Sequence, residues 1–196
     1  FMKNFGKVLG IFFSIFVIFG CVSPQPEEQN ILPVEREVGV EYTLTLVHTN
    51  DHHGATLSKD GKFGLAERGT FIKSIRKENE NVLLLDAGDI NTGSALSNMY
   101  DAKPDILAYN ILEYDAVTFG NHEFDGTLEK LQKQMEISEF PWLGANITFE
   151  DGSFLGEPYI IKDYPGFRVG VLGLTTLRTL TISSPDKSLV FSDEIT

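Results

Sequence analysis

Three short clusters hold the side chains of this sequence that can do acid–base or metal chemistry. They are Thr49-Asn50-Asp51-His52-His53-Gly54, Asp86-Ala87-Gly88-Asp89 and Gly120-Asn121-His122-Glu123-Phe124-Asp125. Their carboxylates, imidazoles and one amide are donors that a hard or borderline divalent cation accepts. Each cluster follows an apolar run, which places it at the C-terminal end of a buried strand. Open α/β sheets build their sites along that edge.

Within the first cluster, Asp51 and His53 alternate across one residue. In extended backbone residues i and i+2 point the same way, so this carboxylate and this imidazole can grip one ion. A turn in which Asp51 caps a backbone amide is the competing reading. Asp89 follows Gly88, and its two oxygens can bridge two metals about 3.5–4 Å apart. Asp86, nearer the strand, is expected to brace the loop. Asn121 offers an amide oxygen, an uncommon ligand that needs stronger donors beside it. His122 can reach substrate, either to hydrogen-bond a non-bridging oxygen or to protonate a leaving oxygen. Asp125 can pair with His122 and can also cap a helix starting at Gly126. His48, on an apolar strand, reads as a core or supporting histidine. His52 points away from Asp51 and His53, toward solvent.

The elements that must carry these clusters alternate. Strands are expected over Tyr42 to His48, Val82 to Leu85, Ala116 to Phe119 and Trp142 to Ala145. Helices are expected over Gly64 to Lys77, Lys103 to Glu113 and Gly126 to Ser138. Their apolar faces are Leu65, Phe71, Ile72 and Ile75; Ile106, Leu107 and Ile111; and Leu128, Leu131 and Met135. Alternating strands and helices predict a layered α/β fold. Further on, Tyr159 to Lys162 and Arg168 to Leu174 flank Pro165-Gly166 and read as a hairpin. Beyond Leu174 the chain is rich in Thr and Ser and shows no closing element. Asn146-Ile147-Thr148 matches a glycosylation sequon.

The chain has 196 residues, enough for one domain with a sizeable core, and a formal net charge of -12. That acidity argues against binding a nucleic-acid polymer by bulk charge. It is compatible with a small phosphorylated substrate, because bound divalent cations invert the local field. At the N-terminus, Lys3 and Lys7 precede the apolar run Val8 to Phe19, which has the length of a signal-peptide core. Gly20 and then Cys21 follow the run; Cys21 is the sole cysteine, so no intrachain disulfide forms. A lipoprotein-type signal with Cys21 as the lipid-modified residue is favoured over an ordinary signal peptide with an incidental cysteine. The expected organisation is a signal segment at 1–21, a polar, proline-bearing tether at 22–41 and a folded domain at 42–196.

Read in order, the three clusters resemble the calcineurin-like metallophosphoesterases. Within them the sequence is similar to the 5′-nucleotidase family, especially periplasmic UDP-sugar hydrolase/5′-nucleotidases. The narrowing segments are His48 to Gly54, Leu83 to Gly93 (LLLDAGDINTG), Asp101 to Asp105, Tyr114-Asp115-Ala116 and Gly120 to Asp125. Phe140-Pro141, Gly144 to Ile147 and Val171 to Thr176 extend the resemblance over roughly Tyr42 to Thr176.

The resemblance implies an α-β-β-α sandwich, incomplete in this chain. It implies two divalent ions, with zinc, manganese and cobalt not distinguished. Asp51 and His53 would hold one ion, Asp89 would bridge and Asn121 would bind the second. His122 paired with Asp125 would stabilise the transition state, and a metal-bound hydroxide would attack phosphorus in line. The implied substrate is a nucleotide or nucleotide-sugar. The implied setting is periplasmic or cell-surface, with membrane attachment through the lipid at Cys21.

Family members take further histidines from later in the catalytic domain, and a C-terminal domain holds the nucleoside. This chain has four histidines, none after His122. The expectation is therefore an N-terminal fragment of a longer enzyme. A non-catalytic surface lipoprotein that keeps the fold as a binding module is the alternative. The reading frame downstream of Thr196 separates the two.

Overall fold

The computed structural model describes residues 37–58 and 63–193. Cys21, the signal segment and all but the end of the tether lie outside the described residues. Among the described residues, no helix is long and apolar enough to cross a membrane.

The chain runs β1 (Thr45–Thr49), α1 (Leu65–Glu78), β2 (Val82–Asp86), α2 (Ala95–Met99), α3 (Lys103–Leu112), β3 (Ala116–Thr118), a 3₁₀ turn (His122–Phe124), α4 (Leu128–Ile137) and β4 (Trp142–Leu143). It continues through β5 (Ile147–Phe149), β6 (Tyr159–Tyr164), β7 (Phe167–Leu172), α5 (Thr179–Ile182) and β8 (Leu189–Phe191).

β1 to β4 form one parallel sheet in sequence order. Thr49 pairs with Asp86, Asp86 with Val117 and Thr118 with Leu143, so the strands end together. The three clusters therefore leave the sheet side by side at its C-terminal edge. Leu84, Val117 and Trp142 of the sheet share one buried cluster with Ile72, Ile106, Tyr109 and Leu131 of the helices. The β6–β7 hairpin faces the sheet elsewhere. Its Lys162 pairs with Asp115, and Tyr164 donates to the Val82 carbonyl at 3.1 Å. A cleft between them is lined by Leu85, Val117, Leu143, Val171 and Leu172.

The expected alternation of strands and helices is present, and several details differ. Phe71 is 60% exposed, whereas Ile72 is buried. Leu107 and Ile111 also face outward, and Tyr109 and Leu112 take their place in the core. The apolar stripe of α3 is thus rotated toward residues adjacent to those expected and that of α1 turns away from Phe71, whereas Leu128, Leu131 and Met135 of α4 pack inward as expected. The helix expected from Gly126 starts at Leu128, and Thr127 caps it by accepting from the Lys130 amide; Asp125 does not.

Beyond Leu174 the chain does gain a closing element, because β8 pairs antiparallel with β5. Asn146 ties this region together. Its amide donates to the carbonyls of Thr175 at 2.8 Å and Ser192 at 3.0 Å, and its oxygen accepts from the Thr175 amide. Its side chain is committed to that buried junction, so the sequon is no accessible glycosylation site. His48, expected in the core or in support, is exposed on β1 beside the hairpin cleft.

Candidate metal centre

The backbone ladder between β1 and β2 continues past both strands. The amide of Ala87 donates to Thr49, Asp51 to Gly88, His53 to Asp89 and Gly54 to Ile90, all at 2.8–3.0 Å. This continuation zips the first two clusters together. It does so with Asp51, His53 and Asp89 in the left-handed region, at φ 52, 47 and 59. Such backbone costs non-glycine residues about 1–3 kcal/mol each and gathers at functional sites. Asp51 and His53 therefore face one another through a strained loop. The pleat alternation expected for them is absent, because β1 ends at Thr49.

The third cluster closes against the second at the backbone. A Cβ on Gly88 would collide with the Gly120 backbone, and one on Gly120 would collide with the Asp89 carboxylate. Only glycine at both positions permits this approach. The His122 amide then donates to Asp89 Oδ1 at 2.8 Å.

The donors converge. One ligand atom each from His53, Asp89 and His122 lies within 4.8 Å of the others. The Nδ1–H of His53 donates to the Thr92 carbonyl at 3.2 Å, which leaves Nε2 as the free ring nitrogen. Nε2 lies 3.3 Å from Asp51 Oδ1. In neutral His53 those are two acceptors facing each other, an arrangement that a cation between or beside them satisfies. The residues present thus fit a divalent ion. Asn50 donates to Asp51 and, against slight desolvation, holds its carboxyl below the ordinary value. Asn121, half-buried, immediately precedes the 3₁₀ turn and His122.

His122 Nδ1 lies 2.6 Å from Asp125 Oδ2. Desolvation alone would lower the His122 pKa. The hydrogen bond and charge of Asp125, with the charges of Asp89 and Glu123, outweigh it and raise the pKa. Asp125 is itself held. Thr92 Oγ1 donates to it at 3.0 Å and Ser183 Oγ at 2.8 Å. Burial would raise its carboxyl, but the bonds from His122, Ser183 and Thr92 keep it below the ordinary value.

His52 is not in solvent. It is 2% exposed, with Nε2 3.0 Å from Asp105 Oδ1 and Nδ1 3.2 Å from the Arg68 guanidinium. Arginine only donates, so Nδ1 accepts and the Nε2–H donates to Asp105. Alternation failed as a guide here because the segment is a loop held by α1 and α3. Asp86 supports the same layer: it accepts from the Gly88 amide at 2.8 Å, from Tyr109 at 2.9 Å and from Thr49.

Reading the sequence alone also missed Glu123 as a residue in its own right. It is 2% exposed, and its carboxylate accepts four backbone N–H bonds from the loops after β2 and β3. Burial pushes its pKa up to about 7, against those donors. Its spacing of three from Gly120 is that of a capping-box contact, which was the available signal. Nothing local points to Thr92 or Ser183.

Comparison with known proteins adds four findings. Residues 44–192 match the family model described as calcineurin-like phosphoesterase. The chain is 46% identical over 156 residues to a 5′-nucleotidase of Vibrio cholerae, covering 76% of this chain and 28% of that protein. It is 44% identical over 151 residues to Protein UshA of Salmonella pullorum, again covering 28% of the relative. Among solved structures, the NAD nucleotidase NadN of Haemophilus influenzae superposes with a TM-score of 0.72 at 32% identity, over 78% of this chain and 30% of that one. The chain spans less than a third of the length of these relatives.

Proposed function

The chain belongs to the calcineurin-like phosphoesterase family, and from that premise we propose that it carries part of the catalytic domain of an exported, metal-dependent nucleotide phosphohydrolase. The convergence of His53, Asp89 and His122 at the sheet edge carries this reading. Relatives named 5′-nucleotidase support a nucleotide as substrate, and the sequence's resemblance to UDP-sugar hydrolases adds nucleotide-sugars as a second class.

In this reading Asp51 and His53 would hold one divalent ion, Asn121 would hold a second, and Asp89 would serve both. Bound divalent ions supply Lewis acidity for the phosphoryl group and lower the pKa of water. Asp125 orients the His122 ring through Nδ1, which turns Nε2 toward substrate. From there His122 donates to a phosphoryl oxygen or to the leaving oxygen. Thr92 and Ser183 keep Asp125 in place. Export follows from the signal segment, and lipid anchoring from Cys21.

The test is phosphate release from AMP and from UDP-glucose by the full-length protein with manganese, zinc or cobalt, before and after chelation. Release that chelation stops and added metal restores is expected. Absence of release from AMP with all three metals overturns the proposal. Labelling with a radioactive fatty acid, lost in Cys21→Ser, tests the anchor.

A further inference from the structure

We infer that Glu123 is a positioning residue that sets the two metal-binding loops in their ligand geometry before any ion arrives. This rests on the reading of the site as a metal centre. Glu123 Oε2 accepts from the amides of Asp89 at 2.8 Å and Gly120 at 2.7 Å. Its Oε1 accepts from Ile90 at 2.8 Å and Asn91 at 3.2 Å. A carboxylate has about four lone-pair sites, and here the backbone fills all of them. Glu123 therefore has nothing left to offer an ion and is no ligand itself.

What it joins gives it its role. Three of the four amides belong to the loop that carries Asp89, and the fourth belongs to the residue before Asn121. Asp89 is strained at φ 59, and glycine 88 and glycine 120 bring the two backbones into contact. Contact alone does not fix a register between two loops. A buried four-way acceptor does, because sliding either loop strands N–H groups away from both water and their partner. The position of Asp89 relative to Asn121 and His122 is thus written into the backbone.

The side-chain chemistry gives the test. In Glu123→Gln one oxygen becomes an NH₂ that opposes two of the four N–H donors, so one loop must move. Changes of this kind behind metal ligands cost on the order of 10–100-fold in affinity. Manganese titration of the metal-free full-length protein should show that weakening in Glu123→Gln. Excess manganese should restore kcat to within a few-fold, with KM for AMP unchanged. A second measurement needs no variant: the amides of Asp89, Ile90 and Gly120 should be protected from hydrogen exchange in the metal-free wild type. If Glu123→Gln does not fold, this exchange measurement decides alone. Unchanged manganese affinity in Glu123→Gln overturns the inference, as do amides that become protected only on adding manganese. A wild-type protein that takes up no manganese overturns the metal reading, and this inference with it.

Discussion

Asp86 and Asp89 leave the same strand three residues apart and meet opposite surroundings. Asp86 is 3% exposed, held by Thr49, Tyr109 and the Gly88 amide, and burial raises its pKa against those bonds. Asp89 sits in left-handed backbone among two imidazoles, with its position fixed by Glu123. His52 and His53 repeat the contrast one strand away. The first is buried between Asp105 and Arg68, and the second opens onto the site. Each of these two clusters thus divides into an inner residue that ties the loop to the helices and an outer residue that faces the candidate metal centre. Neighbours of the same type do different work because the loops turn between them.

The division breaks first at Asp89. In the full-length protein, Asp89→Asn should lower kcat by more than the roughly 10–100-fold typical of groups behind a metal site, and bound metal should fall with it. Asp86→Asn should retain metal and most of its kcat while losing about 1–3 kcal/mol of stability. Equal losses of kcat in the two variants, or full metal content in Asp89→Asn, would erase the distinction.

His122→Ala sharpens the outer set. Its kcat should drop roughly 10²–10⁴-fold with metal content near normal, as for an acid or electrostatic group. Loss of metal would instead make His122 a ligand, as its place among the converging donors permits.

The adjacent histidines test the same idea through stability. His52→Ala leaves Arg68 and Asp105 short of a partner and should cost about 1–3 kcal/mol in unfolding measurements, with metal retained. His53→Ala should lose metal with little change in unfolding of the metal-free protein. The reverse pattern would show that inner and outer had been assigned wrongly.

The smallest effect belongs to α1. Phe71→Ser should change stability by no more than about 0.5 kcal/mol, as for surface substitutions in general. Ile72→Ala should cost about 2–5 kcal/mol. Thermal unfolding of both variants checks the rotation of that helix face.

Much of this was legible in the chain itself. Short apolar runs ending in Asp51, Asp86 and Gly120 are enough to place three polar clusters on one sheet edge, because parallel strands joined by helices must end on the same side. Asp125, three residues after His122, could be paired with it for an equally local reason. What the sequence could not supply is direction. Strand alternation stops where the strand stops, so it sent His52 to solvent when Arg68 and Asp105 pull it inward. Helix spacing found the helices but not the angle at which each meets its neighbours, so Phe71 and Ile111 were placed inward and lie outside. Ser183 reaches Asp125 across 58 residues, and β8 finds β5 across the whole C-terminal segment. Those contacts exist only once the sheet and its loops have closed. They depend on distances in space, which local pattern does not encode.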